Sequence, residues 1–182
     1  GKNIWRDEQE WPLSRSDTTT FYLRSKGKAN SLNGDGWLDK VIASDKELPD
    51  VYLFNPLDPV PTRGGSVLCE AGLLPSGAFD QTYVEHRPDV LIFTTEPLDN
   101  EVEVTGPVVL RLYASSSAKD TDFTGKLVDV SPDGYARNIT EGILRARYRS
   151  GREEPVFINP SEIYEYVIDM GSTSNVFKTG HS

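Results

Sequence analysis

Two aspartates, Asp120 and Asp122, lie two positions apart in a turn-like segment between two alternating apolar runs. With Thr124 and Gly125 they resemble the start of an EF-hand loop, in which positions 1, 3 and 5 supply oxygen ligands and position 6 is glycine. The twelfth position should be glutamate, but it is Ser131. We therefore expect no calcium site, and we interpret both aspartates as turn carboxylates that accept backbone N–H bonds.

Side chains that could support nucleophilic catalysis are few. The run GGSVL around Ser66 lacks the final glycine of a nucleophile elbow. His86 and His181 are the only histidines, and we interpret both as structural or surface residues. Cys69 is the single cysteine, which excludes an internal disulfide and a cysteine-rich zinc site, and its surroundings favour a small buried side chain. We predict no catalytic, cofactor-binding or metal-binding residue in this chain.

The tripeptide Asn138-Ile139-Thr140 fits a glycosylation sequon. It lies inside a predicted strand, and no secretory signal accompanies it in the sequence. We interpret this match as chance.

Charge and hydropathy exclude some classes of partner. The formal net charge is −9 and the isoelectric point is about 4.7, so long-range electrostatics disfavour nucleic acid and anionic membrane surfaces. No stretch approaches the ~20 apolar residues that a membrane span needs. We expect a soluble, cytoplasmic protein without nucleic-acid or membrane partners.

Alternating apolar residues indicate strands rather than helices. Val108, Leu110 and Leu112 fall on one face of the run EVEVTGPVVLRLYASS, and the same period continues in DFTGKLVDVSPDG, RNITEGILRARYRSG and IYEYVIDMG. Shorter strand-like runs occur in TTTFYLRS and VLIFTTEPL, and no window keeps a 3.6-residue apolar period for three turns. About five to eight strands of this kind predict an all-β sandwich.

The region between residues 50 and 90 is rich in proline and glycine and has only short apolar runs. Long loops in compact domains usually pack on another domain or line a site. The apolar surface of this region comes from Tyr52, Phe54, Leu73, Leu74, Phe79 and Tyr83, so we expect an ordered loop or arm rather than disorder.

Several motifs occur in an informative order: YLRSKGKANSLNGDGWL, DPVPTRGG, DQTYVEHRPDVLIFTTEPLDNEVEVTGPV, DTDFTGKLVDVSPDGYARNITEGILRARYR and NVFKTGHS. Together they resemble the C-terminal domain of the X-prolyl dipeptidyl peptidase, cocaine esterase and α-amino acid ester hydrolase family of serine hydrolases. The resemblance implies a jelly-roll, galactose-binding-domain-like β-sandwich. It also implies that residues 1–20 form an arm from a missing catalytic domain and residues 21–182 form the sandwich.

In that family the catalytic serine, aspartate and histidine lie in a separate α/β-hydrolase domain that carries a helical cap. The resemblance therefore implies an inactive fragment of an active parent, which would hydrolyse X-Pro peptide bonds or esters and amides. The domain would contact the hydrolase and cap domains and support the active-site wall. The resemblance also implies that a strand pair is missing after Ser182, and we expect self-association through the open edge or the arm.

A free-standing carbohydrate-binding module is the alternative, because jelly-roll sandwiches often bind sugars on aromatic platforms. Trp5, Trp11 and Trp37 are the candidate platforms. The run IWRDEQEW, which holds Trp5 and Trp11, favours packing on a neighbouring domain instead.

Overall fold

The computed structural model describes residues 3–42, 47–67 and 75–182. Cys69 therefore lies outside the described residues, and so do Leu73 and Leu74 of the long loop and residues 1 and 2 of the arm. The elements in chain order are β1 (Tyr22–Arg24), β2 (Trp37–Asp39), α1 (Thr82–Glu85), β3 (Val102–Ala114), β4 (Asp122–Val130), β5 (Ala136–Arg145), a 3-10 turn (Ala146–Tyr148) and β6 (Tyr164–Phe177).

Two long antiparallel strand pairs, β3 with β6 and β4 with β5, form the centre of the fold. They pack against each other chiefly through β5 and β6. The core between them consists of Phe123, Ala146, Ile158, Tyr166, Ile168 and Met170. A third, short antiparallel pair joins β1 to β2. The predicted all-β sandwich is confirmed.

The alternating pattern of β3 determines which of its side chains enter the core. Leu110 and Leu112 pack against the core cluster, whereas Val109 and Tyr113 are exposed. The two sets lie on opposite faces because successive side chains of a strand point in opposite directions. The faces that the sequence predicts for this strand are confirmed.

Two glycines allow the strand pairs to approach closely. Gly125 of β4 lies directly opposite Gly142 of β5. A Cβ atom at Gly142 would lie 2.3 Å from the carbonyl oxygen of Asp169 in β6, and one at Gly125 would lie 2.7 Å from Cδ2 of Leu110 in β3. A Cβ atom at Gly142 would meet the backbone of β6, whereas one at Gly125 would meet side chains that can move. Glycine at both positions is thus favoured by packing rather than by a left-handed backbone.

The shorter strand predictions are only partly correct. TTTFYLRS forms a strand over Tyr22–Arg24 alone. VLIFTTEPL forms isolated bridges, Asn30 with Leu91 and Trp37 with Thr94, instead of a strand. Its backbone bonds are spread over residues 29–38, where Ala29 accepts from Ile92 and Leu38 donates to Thr94. The chain between these partners turns, so no continuous ladder forms.

The segment around Ser182 is hydrogen-bonded to the end of β4 and to the chain just before β3. The backbone of Ser182 exchanges two hydrogen bonds with Val130 at the end of β4. Gly180 and His181 exchange two more with Leu98. In the part of the chain that the structure describes, no helix is long and apolar enough to cross a membrane.

Candidate functional site

Asp120 and Asp122 have different partners, both supplied by arginines at the end of β5 and just beyond it. Asp122 begins β4 and accepts two bonds from the guanidinium of Arg145, 2.8 Å from Nε and 2.9 Å from Nη2. These bonds lower the pKa of Asp122. Asp120 accepts the backbone N–H of Arg147 at 3.1 Å and lies 3.5 Å from Nη1 of its guanidinium. Asp120 thus accepts a backbone bond as expected, whereas Asp122 pairs with a side chain.

Replacing these aspartates should destabilise the domain unequally. The Asp122–Arg145 pair is exposed, so Asp122→Ala should cost less than about 1 kcal/mol. Asp120→Ala leaves the backbone N–H of Arg147 without its acceptor, and Nε of the same residue is already buried without a partner, so the substitution should cost about 2 kcal/mol. Urea unfolding of the two variants measures the difference. A larger loss for Asp122→Ala contradicts this assignment.

The described candidate catalytic side chains, Ser66, His86 and His181, are not hydrogen-bonded to one another. His86 follows α1 as its C-cap residue. The ring of His181 lies 2.7 Å from a carboxylate oxygen of Asp129, which is buried at the end of β4. Ser66 lines a cavity of about 250 Å³ with Gly65, Gly77 and residues 138–141. Among the residues that the structure describes, no histidine ring bonds a serine hydroxyl.

Metal and glycan sites find no support in the described residues either. Within the described ranges, no three His, Cys, Asp or Glu side chains lie close enough together to hold a metal ion. Asn138 lies in β5 with 3% of its surface exposed, and its backbone N–H bonds the carbonyl oxygen of Phe79. A glycan cannot be attached to a side chain buried in this way in the folded domain.

The three tryptophans differ in accessibility. Trp37 lies in β2, and the guanidinium of Arg24 lies over its ring, 5.2 Å from the centroid. Trp5 is fully exposed and Trp11 is 55% exposed, both in the N-terminal arm. Because a cation covers a face of Trp37, this ring does not offer a free platform for a sugar.

An exposed apolar surface lies on the loop of residues 48–60, which we call the apolar loop. Val51, Leu53, Phe54 and Leu57 are between 50% and 93% exposed, and Leu57 is the most exposed of them. Apolar patches beyond a few hundred Å² on a protein surface commonly mark contact sites. The apolar loop is therefore the strongest candidate for a functional surface.

Polar side chains hold the beginning of the apolar loop against the body of the domain. The Asp50 carboxylate accepts the backbone N–H of Ala29 and the hydroxyl of Ser25, both at 2.7 Å. The side-chain amide of Asn30 donates to the carbonyl of Val51 at 3.0 Å. The loop is thus fixed through its polar groups while its apolar side chains face outward.

Arg87, just beyond α1, holds the far end of the apolar loop. Its guanidinium bonds the carboxylate of Asp89 at 2.8 Å through Nε and Nη2. The same guanidinium donates to the carbonyl of Asp58 at 2.8 Å and to its carboxylate. Tyr52 lies in the loop between the attachments at Asp50 and Asp58, and its pKa is raised by burial and by the neighbouring Asp89. The exposed side chains therefore belong to an anchored loop.

Comparison with known proteins assigns the family. A model of the X-Pro dipeptidyl-peptidase C-terminal non-catalytic domain matches residues 1–182. The chain belongs to this family. A cocaine esterase from Rhodococcus sp. (strain MB1 Bresler) is 50% identical over 181 residues, which cover all of this chain and 31% of the esterase. The family resemblance of the sequence motifs is thus confirmed.

Solved structures carry the same domain fold. An aminopeptidase from the marine sediment archaeon Thaumarchaeota archaeon matches with a TM-score of 0.80 and 28% identity, over all of this chain and 30% of that one. An α-amino acid ester hydrolase matches with a TM-score of 0.83 and 27% identity, over all of this chain and 31% of the hydrolase. The chain therefore spans 30–31% of the length of these three relatives.

Proposed function

We propose that this non-catalytic domain docks on the α/β-hydrolase and cap domains of a serine hydrolase and supports the wall of its active site. The observation that carries the proposal is the anchored apolar loop. Its polar groups bond the body of the domain through Asp50, Asn30 and Arg87, and Leu53 and Leu57 face outward. Such a loop is preorganised for contact, so docking loses little loop entropy.

The arm supplies a second apolar segment for the same role. Ile4 is 68% exposed, and Trp5 and Trp11 are exposed with it. Aromatic residues on a surface that excludes water often contribute much of the binding energy. The division into an arm of residues 1–20 and a sandwich of residues 21–182, incomplete at its C-terminal end, stays a prediction, as do homo-oligomerisation and a cytoplasmic location.

The reaction of the parent enzyme is proposed from its relatives. They include an esterase, an aminopeptidase and an α-amino acid ester hydrolase, so the common chemistry is hydrolysis of an acyl bond. We assign the parent to serine hydrolases that cleave X-Pro peptide bonds or small esters and amides. We place its nucleophile and base in the hydrolase domain. In the described part of this chain Ser131 and His181 line one cavity, but the Ser131 hydroxyl bonds Asp133 and the His181 ring bonds Asp129.

The docking role is tested by removing this domain from the full hydrolase. We expect the remaining hydrolase and cap domains to melt at a lower temperature and to lose most of their turnover. Addition of the separate C-terminal domain should restore both. Full activity and an unchanged melting temperature without the domain contradict the proposal.

The isolated chain should be inactive. We expect no hydrolysis of p-nitrophenyl esters or X-Pro anilides above a buffer blank, because no histidine ring bonds a serine hydroxyl among the described residues. Release of p-nitrophenol or p-nitroaniline by the purified chain measures this directly. Turnover that disappears in Ser66→Ala or His86→Ala contradicts the non-catalytic assignment.

A further inference from the structure

The N-terminal arm, here residues 3–16, is attached to β3 through charged side chains. The guanidinium of Arg6 donates to both carboxylate oxygens of Glu103, at 2.6 and 3.2 Å. Arg15 donates to both oxygens of Glu8, at 2.7 and 2.6 Å. Two longer contacts join the pairs, because Arg15 lies 3.9 Å from Glu103 and Arg6 lies 3.8 Å from Glu8. The four residues form one network.

The end of the arm has its own attachment to the sandwich. Leu13 is 4% exposed, and the hydroxyl of Ser16 donates to the carbonyl of Thr105 in β3 at 3.3 Å. The hydroxyl of Thr105 also bonds Glu103, at 2.9 Å. The arm is therefore held at one end by Leu13 and Ser16, and Arg6 bonds β3 again nearer its beginning.

The aromatic side chains of the arm are exposed, unlike Leu13. Trp5, next to Arg6, is fully exposed, and Trp11 lies between the attachments and is 55% exposed. A free arm would place Trp5 at many positions, whereas the bond from Arg6 to Glu103 restricts it to one side of β3. Within the isolated sandwich, the exposed rings of Trp5 and Trp11 gain no burial from the bond between Arg6 and Glu103.

We propose that Glu103, with Arg6, Glu8 and Arg15, forms an ionic latch that fixes the arm along β3 and positions Trp5 for contact with the adjoining hydrolase domain. The inference rests on the proposed function and adds positioning residues to it. The hydrogen bonds from Arg6 lower the pKa of Glu103 to about 2. This carboxylate therefore stays ionised at neutral pH and well into the acid range.

The strength of the latch follows from its exposure. The four side chains are between 33% and 49% exposed, and exposed ion pairs shift a local equilibrium by about two- to fivefold. Salt screens such pairs, because the Debye length falls to about 3 Å at 1 M ionic strength. The arm should therefore be ordered at low salt and looser at high salt.

Limited trypsin digestion of this chain tests the latch, with mass spectrometry following cleavage after Arg15. Glu103→Gln leaves the arm sequence unchanged and should accelerate this cleavage about two- to fivefold at low salt. At high salt the wild type should be cleaved after Arg15 as fast as the variant. Each cleavage rate is divided by that of a free peptide with the arm sequence, which corrects for the effect of salt on trypsin. Equal rates for wild type and Glu103→Gln overturn the proposal.

Glu165→Gln is the matched control. Glu165 lies in β6 and pairs with Arg111 at 2.9 Å, with 41% of its side chain exposed. Its hydrogen bonds are to Arg111 and Tyr113, which lie in β3 and not in the arm. Its loss should leave cleavage after Arg15 unchanged. Equal acceleration by both variants shows a general loss of stability and overturns the latch.

A second measurement separates the latch from the docking role. In the full hydrolase chain, Trp5→Ser should lower the melting temperature of the hydrolase domain, and an unchanged temperature contradicts arm docking. The latch is read independently from cleavage after Arg15 in this chain. If Trp5→Ser lowers the melting temperature but Glu103→Lys does not, the docking role stands and the latch fails.

Discussion

Gly142→Ala should lower the free energy of unfolding by about 3 kcal/mol, the upper end of the usual range for overpacked cores. The added Cβ would lie 2.3 Å from the carbonyl oxygen of Asp169 and 2.9 Å from its carbonyl carbon. Those atoms belong to the backbone of β6, which is paired with β3 along its length. Relief of the clash therefore requires a shift of a whole strand pair, which urea unfolding would report as lost stability.

Gly125→Ala is the control for this prediction. Gly125 lies opposite Gly142 in the register, but its added Cβ meets Cδ2 of Leu110 and the sulfur of Met170, at 2.7 and 3.3 Å. These atoms belong to flexible side chains that can move, so the cost should be about 1 kcal/mol. Equal losses for the two variants contradict the close approach of β5 to β6.

The double variant Leu53→Asp with Leu57→Asp should weaken docking about 100-fold. The two side chains are 86% and 93% exposed in the isolated domain, so their replacement should leave its folding intact. In a docked state each aspartate would be buried in an apolar contact at a cost of at least about 1.4 kcal/mol, which is tenfold in affinity. Calorimetric titration of the domain into the separate hydrolase domain measures the loss.

Ile143→Asp is the matched control for the docking variant. Ile143 is 64% exposed on β5, outside both the arm and the apolar loop. Its replacement should leave the affinity unchanged within about twofold. An equal loss of affinity in this control contradicts the assignment of the apolar loop as the docking surface.

The long strands could be predicted because their side chains alternate over nine residues or more. The three-residue strand β2 was missed, since three residues are too few to show a period. The run VLIFTTEPL was predicted as a strand because it is apolar, but its backbone partners are spread over a turning segment. Alternation of apolar residues in the sequence therefore predicts a strand correctly only where a neighbouring strand pairs with it along its length.

The pairing of Asp122 with Arg145 could not be predicted from spacing. It depends on the antiparallel register of β4 and β5, which shifts between Leu127 and Val128. Likewise, His181 and Asp129 are far apart in the sequence, and only the fold brings them together. Contacts of this kind require the register of the strands, and a single sequence does not contain it.

The role that the sequence predicts for the long loop, contact with another domain or with a site, stays a prediction. The sequence indicated an ordered loop with apolar residues such as Tyr52 and Phe54. In the structure the most exposed side chains are Leu53 and Leu57. Which side chains of the apolar loop are exposed depends on the hydrogen bonds of Asp50 and Arg87. These two residues stand in no distinctive sequence pattern, so their bonds could not be predicted.

Hydrogen exchange in the isolated domain and in the full hydrolase chain tests the docking role most directly. If the domain docks through the arm and the apolar loop, amides of residues 3–11 and 50–58 should exchange more slowly in the full chain. The apolar side chains that both segments expose in the isolated domain would be covered there. Amides at the outward face of β5 around Ile143 should exchange equally in both. Equal exchange of residues 3–11 and 50–58 in the two samples contradicts docking through these surfaces.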